Sequence, residues 1–243
     1  MLKFSKANTK TKALYDAGVV PGGTKVYSLD LPSGYTCPGA KDCLSKCVNG
    51  KIQDGPDCKF RCFSASQEVT YPAVHAARVH NLHTIQGCGN SRKAIRERIL
   101  KDIPRDAGVI RYHVAGDFYK MIYLLAAYDV ARIRDDILFY GYTKSLHLLE
   151  KADLMEDPSI GRVLHNFRLT ASRGGKYDHL IDKMAIREAV VVFSEDDAWP
   201  LDIDHDDSHA AKEGGDFALL LHGVQPAKSE ASKALYLIRK AKA

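Results

Sequence analysis

Six cysteines stand at positions 37, 43, 47, 58, 62 and 88, and none follows. The first three are spaced C-x5-C-x3-C, and a C-x3-C pair, Cys58 and Cys62, comes shortly after. Thiolates this close in loop backbone can converge on one centre, and soft sulfur ligands select zinc or iron–sulfur clusters over magnesium or calcium. Cys43 with Cys47 and Cys58 with Cys62 supply two hooks for a structural zinc. Cys37, Cys43 and Cys47 supply three thiolates for an iron–sulfur cluster. The expected metal ligands are therefore Cys37, Cys43, Cys47, Cys58 and Cys62. A secreted disulfide scaffold would be shorter and would spread its cysteines along the chain.

A second chemistry-bearing run is Asp202 to His209 (DIDHDDSH), which packs four aspartates and two histidines together. Such a run can take a metal or, through a residue such as Asp206, serve acid–base chemistry; it can also be a solvated acidic loop. Like charges this close repel unless something offsets them. Ser208 could equally cap a short helix over His209 to Glu213. His113, inside an apolar strand, is either a core histidine or a site residue beside Gly116 and Asp117. Lys144 and Arg173 suit the phosphate or carboxylate of a cofactor, with Ser172 alongside. His75, His80 and His83 share a helix but not a face. Trp199 beside Pro200 reads as packing. The basic runs Arg92–Arg98 and Lys228–Lys242 could touch phosphates, although a helix with one basic face is usually just solvated.

The elements that must hold these groups alternate. Residues 1–23 read as a basic lead-in closed by Pro21-Gly22-Gly23. Strands are expected at Lys25–Leu31, Gly108–Val114, Ile137–Tyr142, His165–Ala171, Ala189–Phe193 and Phe217–His222. Helices are expected at Ser64–Ile85, from an Asn90-Ser91 cap to Ile103, at Phe118–Arg132, Ser145–Glu156 and Glu230–Lys242, with a short segment ending at Met184. Residues 32–62 form a cysteine-rich metal-binding loop after the first strand. The pattern implies an α/β domain over residues 1–243, as a TIM-like partial barrel of about six parallel strands with helices outside. Cys37 onward, Gly116-Asp117, Thr143-Lys144-Ser145, Ser172-Arg173, Ser194 to Asp197 and His222 then all fall at the C-terminal ends of strands, where parallel α/β folds bind ligands.

With 45% hydrophobic and 27% charged residues the chain has material for a core without help from its cysteines. Its net charge of +5 tolerates a polyanionic partner without demanding one. No apolar run reaches bilayer-spanning length, and the N-terminus lacks the apolar stretch of a signal peptide. A reducing cytoplasm is the expected location, with no membrane partner.

The run Tyr112 to Phe118 (YHVAGDF) resembles the glycine–acid motif with which radical-SAM enzymes hold the methionine amino group. That resemblance gives Asp117 the acidic role, lets the backbone at Gly116 approach the ligand, and implies a [4Fe-4S] cluster with S-adenosylmethionine. The usual C-x3-C-x2-C spacing of those enzymes does not occur here. Across most of the chain, CPGAKDCLSKC, DGPDCKFRCFSASQE, YHVAGDFY, FYGYTKS, FRLTASRGG, IDHDDSHAA and FALLLHGVQP resemble the phage "gene product 88" family. That resemblance implies phage or mobile-element origin, hence a host-cell cytoplasm, and supplies no catalytic residues. The function expected is an iron–sulfur enzyme that modifies a small molecule, a nucleotide or a nucleic-acid base, with Asp117, His113 and Asp206 as catalytic candidates. The alternatives are a transferase with structural zinc, in which Asp117 is nucleophile or base, and a non-enzymatic metal-stabilised binding protein.

Overall fold

The computed structural model describes residues 1–7, 9–154 and 164–241. Its centre is a seven-stranded sheet built from β1 (Phe4–Lys6), β2 (Lys25–Leu29), β5 (Ala107–Tyr112), β6 (Leu138–Thr143), β7 (Phe167–Ser172), β8 (Glu188–Val192) and β9 (Phe217–Leu220), neighbours in that order. A separate hairpin pairs β3 (Ser45–Val48) with β4 (Lys51–Asp54). β1 runs antiparallel to β2, and every later pairing in the large sheet is parallel. Each parallel strand is thus added beside its predecessor in sequence. The six parallel strands, β2 and β5 to β9, deliver their following loops to one edge.

The α-helices among the described residues are α1 (Thr9–Asp16), α2 (Phe63–Thr70), α3 (Pro72–Gln86), α4 (Arg92–Asp102), α5 (Met121–Ile133), α6 (Leu146–Leu154), α7 (His179–Met184), α8 (Ser208–Ala211) and α9 (Glu230–Ala241). The main core joins one sheet face, through Ile110, Tyr112, Phe139 and Phe167, to Ile95, Ile99, Leu124, Val130 and Leu149 of the surrounding helices. On the other face Val26, Val109, Tyr140, Ala189 and Phe217 pack against Leu14, Ala210 and Ala211. Both faces are buried, so these strands read as near-continuous apolar runs rather than alternating ones.

Four readings need correction. The basic lead-in is structured, forming β1 and α1. The cysteine-rich loop contains the hairpin β3–β4. The helix expected over residues 64–85 is two helices, parted at Tyr71 because Pro72 starts α3; proline lacks the N–H and disfavours a helical residue before it. Trp199 does not pack: it is 88% exposed. The helix expected to Glu156 and the final one to Lys242 each end outside the described residues. Ser91 caps α4 as read, accepting from the Ala94 N–H at 3.2 Å. Among the described residues no helix is long and apolar enough to cross a membrane.

Candidate functional site

At the C-terminal edge the cysteine segment is laid directly on the sheet. Gly39 approaches the end of β6 so closely that a Cβ there would meet the Lys144 carbonyl at 1.9 Å. Lys176 N–H donates to the Gly39 carbonyl at 2.8 Å, and Asp42 N–H to Gly174 at 2.9 Å, tying the same segment to the turn after β7. The Asp42 carbonyl accepts from the N–H groups of Lys59 and Phe60, which brings the second cysteine segment alongside. Gly116 has φ +85°, and a Cβ on it would strike Thr36 at 2.5 Å and Leu31 at 2.7 Å. Only glycine lets the loop after β5 lie against the stretch that leads into Cys37.

This scaffold draws Cys37, Cys43 and Cys62 within reach of one another's charge. Burial raises the Cys37 thiol well above its ordinary value, and Asp117, Cys62 and Cys43 raise it further. Burial pushes Cys43 up to about 12, with Lys144 opposing and Cys62, Cys58 and Asp117 adding to the rise. Cys47 takes a different position, buried in β3 opposite Ile52. Cys58 sits at the margin, its Sγ 3.6 Å from Ser45 Oγ and 3.1 Å from the Phe60 carbonyl. Cys88 lies after α3, and its Sγ donates to Thr84 O at 3.5 Å. All six are free thiols. Among the described residues no group of three or more His, Cys, Asp and Glu side chains forms a site for a metal ion.

Asp117 is buried at 4% exposure and its carboxylate is engaged on both oxygens. Oδ1 accepts from Phe118 N–H and the Thr143 hydroxyl, each at 2.7 Å, and Oδ2 from Lys144 N–H at 2.8 Å. Burial pushes its pKa up to about 6 against the pull of those donors. The Lys144 ammonium donates to Ser172 O at 2.8 Å, and to Ser172 Oγ and Arg173 O at 2.7 Å. Arg173 pairs with Glu188 at 2.5 Å. Gly116, Asp117, Lys144, Ser172 and Arg173 are therefore one connected network, which clamps the ends of β5, β6 and β7 beneath the cysteines.

His113 and Asp206 lie apart from it. His113 is buried, with Nε2 2.8 Å from the Tyr123 hydroxyl and its ring among Tyr112, Phe118 and Tyr123. Burial, with Arg111 adding to it, lowers its pKa to about 3, so the imidazole is neutral. Asp206 accepts from Ser208 N–H at 3.0 Å at the start of α8. The acidic run is offset from within the chain: Asp207 pairs with Arg111 and accepts from Tyr140 at 3.2 Å, while Asp204 accepts from the N–H groups of Asp206 and Ala210. The basic run on α4 is likewise engaged, Arg92 with Asp129, Lys93 and Arg96 with Glu97, and Arg98 with Asp102.

Two buried residues that sequence reasoning missed hold the cysteine segments in place. Glu68 on α2 accepts from the Ser33 N–H and hydroxyl, each at 2.9 Å, and from Arg78 at 3.0 Å. Gln225, after β9, accepts from the Arg61 N–H at 2.8 Å. Neither carried a local signal, because each partner is supplied by tertiary structure.

Fold and site together define an α/β protein with a mostly parallel sheet and a cysteine-bearing segment seated on its C-terminal edge. The chain belongs to the gene product 88 family, whose model matches residues 2–237. No curated protein and no solved structure matches it, and the radical-SAM resemblance finds no support in these comparisons.

Proposed function

We propose that the chain is an iron–sulfur enzyme whose cluster ligands are Cys37, Cys43 and Cys62, working in the host cytoplasm, where thiols stay reduced. The observation that carries this reading is that Gly39 seats the Cys37–Cys43 segment on the strand edge while the Asp42 carbonyl holds Lys59 and Phe60, just before Cys62, alongside it. Burial first, and then neighbouring negative charge, raises the thiols of Cys37 and Cys43. A cationic cluster would lower those thiols and take the three as thiolates. Such a cluster would accept wider thiolate spacing than a single ion. Cys62 replaces Cys47 in the ligand set because Cys47 is enclosed in the hairpin.

A partial barrel is the architecture we infer around it. The parallel strands follow one another in sequence order. In a flat sheet β5 and β9 would stand roughly 19 Å apart. Yet Ser64 on α2 donates to Val114 O, just past β5, at 2.6 Å, and Ser66 donates to Val224 O, just past β9, at 3.4 Å. One helical turn reaching both ends favours a curled sheet.

With three protein ligands, a four-iron cluster would leave one iron open to a small ligand. Such a cluster would supply one-electron chemistry at the C-terminal edge of the sheet. The chain's own residues hold the geometry. Asp117 fixes the turn after β6 rather than meeting a ligand, since donors occupy both its oxygens. Lys144 places positive charge near Cys43.

The test is anaerobic purification followed by iron and sulfide analysis and an absorption spectrum. Broad absorbance near ~400 nm is expected, lost in Cys37→Ser, Cys43→Ser and Cys62→Ser and kept in Cys47→Ser and Cys88→Ser. A colourless protein with one zinc per chain would sink the reading.

A further inference from the structure

Cys37 and Cys43 share one segment and Cys62 ends a second, and hydrogen bonds to other parts of the chain hold both. The Cys43 stretch is held by Asp42, whose carbonyl takes the N–H groups of Lys59 and Phe60. The residue before Cys62 is gripped from the opposite end of the sheet. Arg61 N–H donates to Gln225 Oε1 at 2.8 Å, and Gln225 Nε2 returns a bond to Arg61 O at 3.4 Å and another to His222 O at 3.0 Å. Gln225 is itself only 8% exposed, so these bonds are shielded from water. Beside it, the rings of Phe63 and His222 stack at 4.8 Å. The stretch leading to Cys37 is tied to the helix that follows Cys62. Glu68 takes both the N–H and the hydroxyl of Ser33, and is itself fixed by Arg78 at 3.0 Å and His75 at 3.1 Å.

We propose that Gln225 and Glu68 are positioning residues that hold the chain entering and leaving Cys62 beside the stretches that carry Cys37 and Cys43. Gln225 sets the backbone entering Cys62, and Glu68 sets the distance between α2 and the Cys37 stretch. Neither touches a thiol. The proposal deepens the cluster reading, since it concerns the same trio, but its test does not need iron.

The probe is phenylarsine oxide, a trivalent arsenical that condenses with two converging thiols, releasing one water and accepting them in protonated form. The reduced full chain is titrated, and the adduct is located by peptide mass spectrometry. Wild type is expected to take one arsenical on the trio. Gln225→Ala and Glu68→Gln are each expected to bind it about tenfold more weakly, as befits the loss of one or two orienting hydrogen bonds. Gln225→Glu, which keeps the acceptor for Arg61 but not the donor, falls between wild type and Gln225→Ala. Far-UV circular dichroism checks that each variant is folded; should Glu68→Gln fail to fold, the Gln225 series decides. Wild-type affinity in both folded Gln225 variants overturns the proposal, as does a wild type that captures no arsenical on these cysteines. Capture in wild type with the graded loss, but no iron on reconstitution, removes the cluster reading and leaves the positioning role standing.

Discussion

Two buried titratable residues near the strand edge respond to pH in opposite senses. Asp117, ordinarily near 3.8, is pushed up to about 6 by burial. Between those values the folded chain holds the proton more often than the unfolded one. Its contribution is therefore complete below about pH 4 and is lost as pH rises through 6, on the order of 3 kcal/mol. His113 is lowered from 6.5 to about 3, first by burial and then by Arg111. Its contribution is complete above pH 6.5 and drains away as pH falls toward 3, by about 4–5 kcal/mol in all. From pH 4 to 6 the two slopes oppose. Asp117→Asn should therefore make stability climb more steeply with pH than in wild type. His113→Gln, which can still bond Tyr123, should tilt the curve the other way. Urea midpoints taken every half pH unit would show it. Curves parallel to wild type in both variants would mean that neither group titrates as its burial demands.

Among the elements, the segment from Cys37 to Cys43 depends on contact rather than on propensity. Gly39→Ala places a methyl group into the Lys144 carbonyl, against which a Cβ has only 1.9 Å. The segment must lift from β6, so iron retained after anaerobic reconstitution should fall several-fold while the far-UV spectrum stays put. Gly22→Ala, with open space around it, is the control and should retain wild-type iron. Equal iron in both variants would show that the segment does not need its seat on the sheet. The same contrast explains what could be read in advance. The six parallel strands announced themselves through apolar runs such as Val109-Ile110 and Val190–Val192, and α4 through its Ser91 cap. The hairpin did not, because SKCV and KIQD are short and mostly polar, with no apolar run to mark them. Sequence spacing grouped Cys47 with Cys37 and Cys43, and could not show that Cys47 lies in a strand of the hairpin. The clasp on the residue before Cys62 comes from Gln225, 164 positions beyond Arg61, and no local pattern carries such a contact. The acidic run's repulsion is relieved by Arg111 and by the N–H groups at the start of α8, partners that its own spacing could not name.

For the molecule as a whole, the cysteine segments act as a tie between early and late strands. α2 bonds past the end of β5 through Ser64 and past the end of β9 through Ser66, with Cys62 at its N-terminus. A group bound by the trio would hold folded chain only, because unfolding separates Cys37, Cys43 and Cys62 from their clasps. Binding to the folded state alone stabilises it by about 2.7 kcal/mol when free ligand exceeds Kd a hundredfold. For a chain of this size that raises Tm by about 5–10 °C. Anaerobic reconstitution with iron and sulfide should therefore shift the melting transition upward by that amount in wild type and in Cys47→Ser, whose thiol lies in the hairpin. It should leave Cys62→Ser unmoved. Measured by scanning calorimetry under argon, an equal shift in Cys62→Ser would place the bound group elsewhere in the molecule. No shift in wild type would separate the tie, which the clasps make by themselves, from any metal.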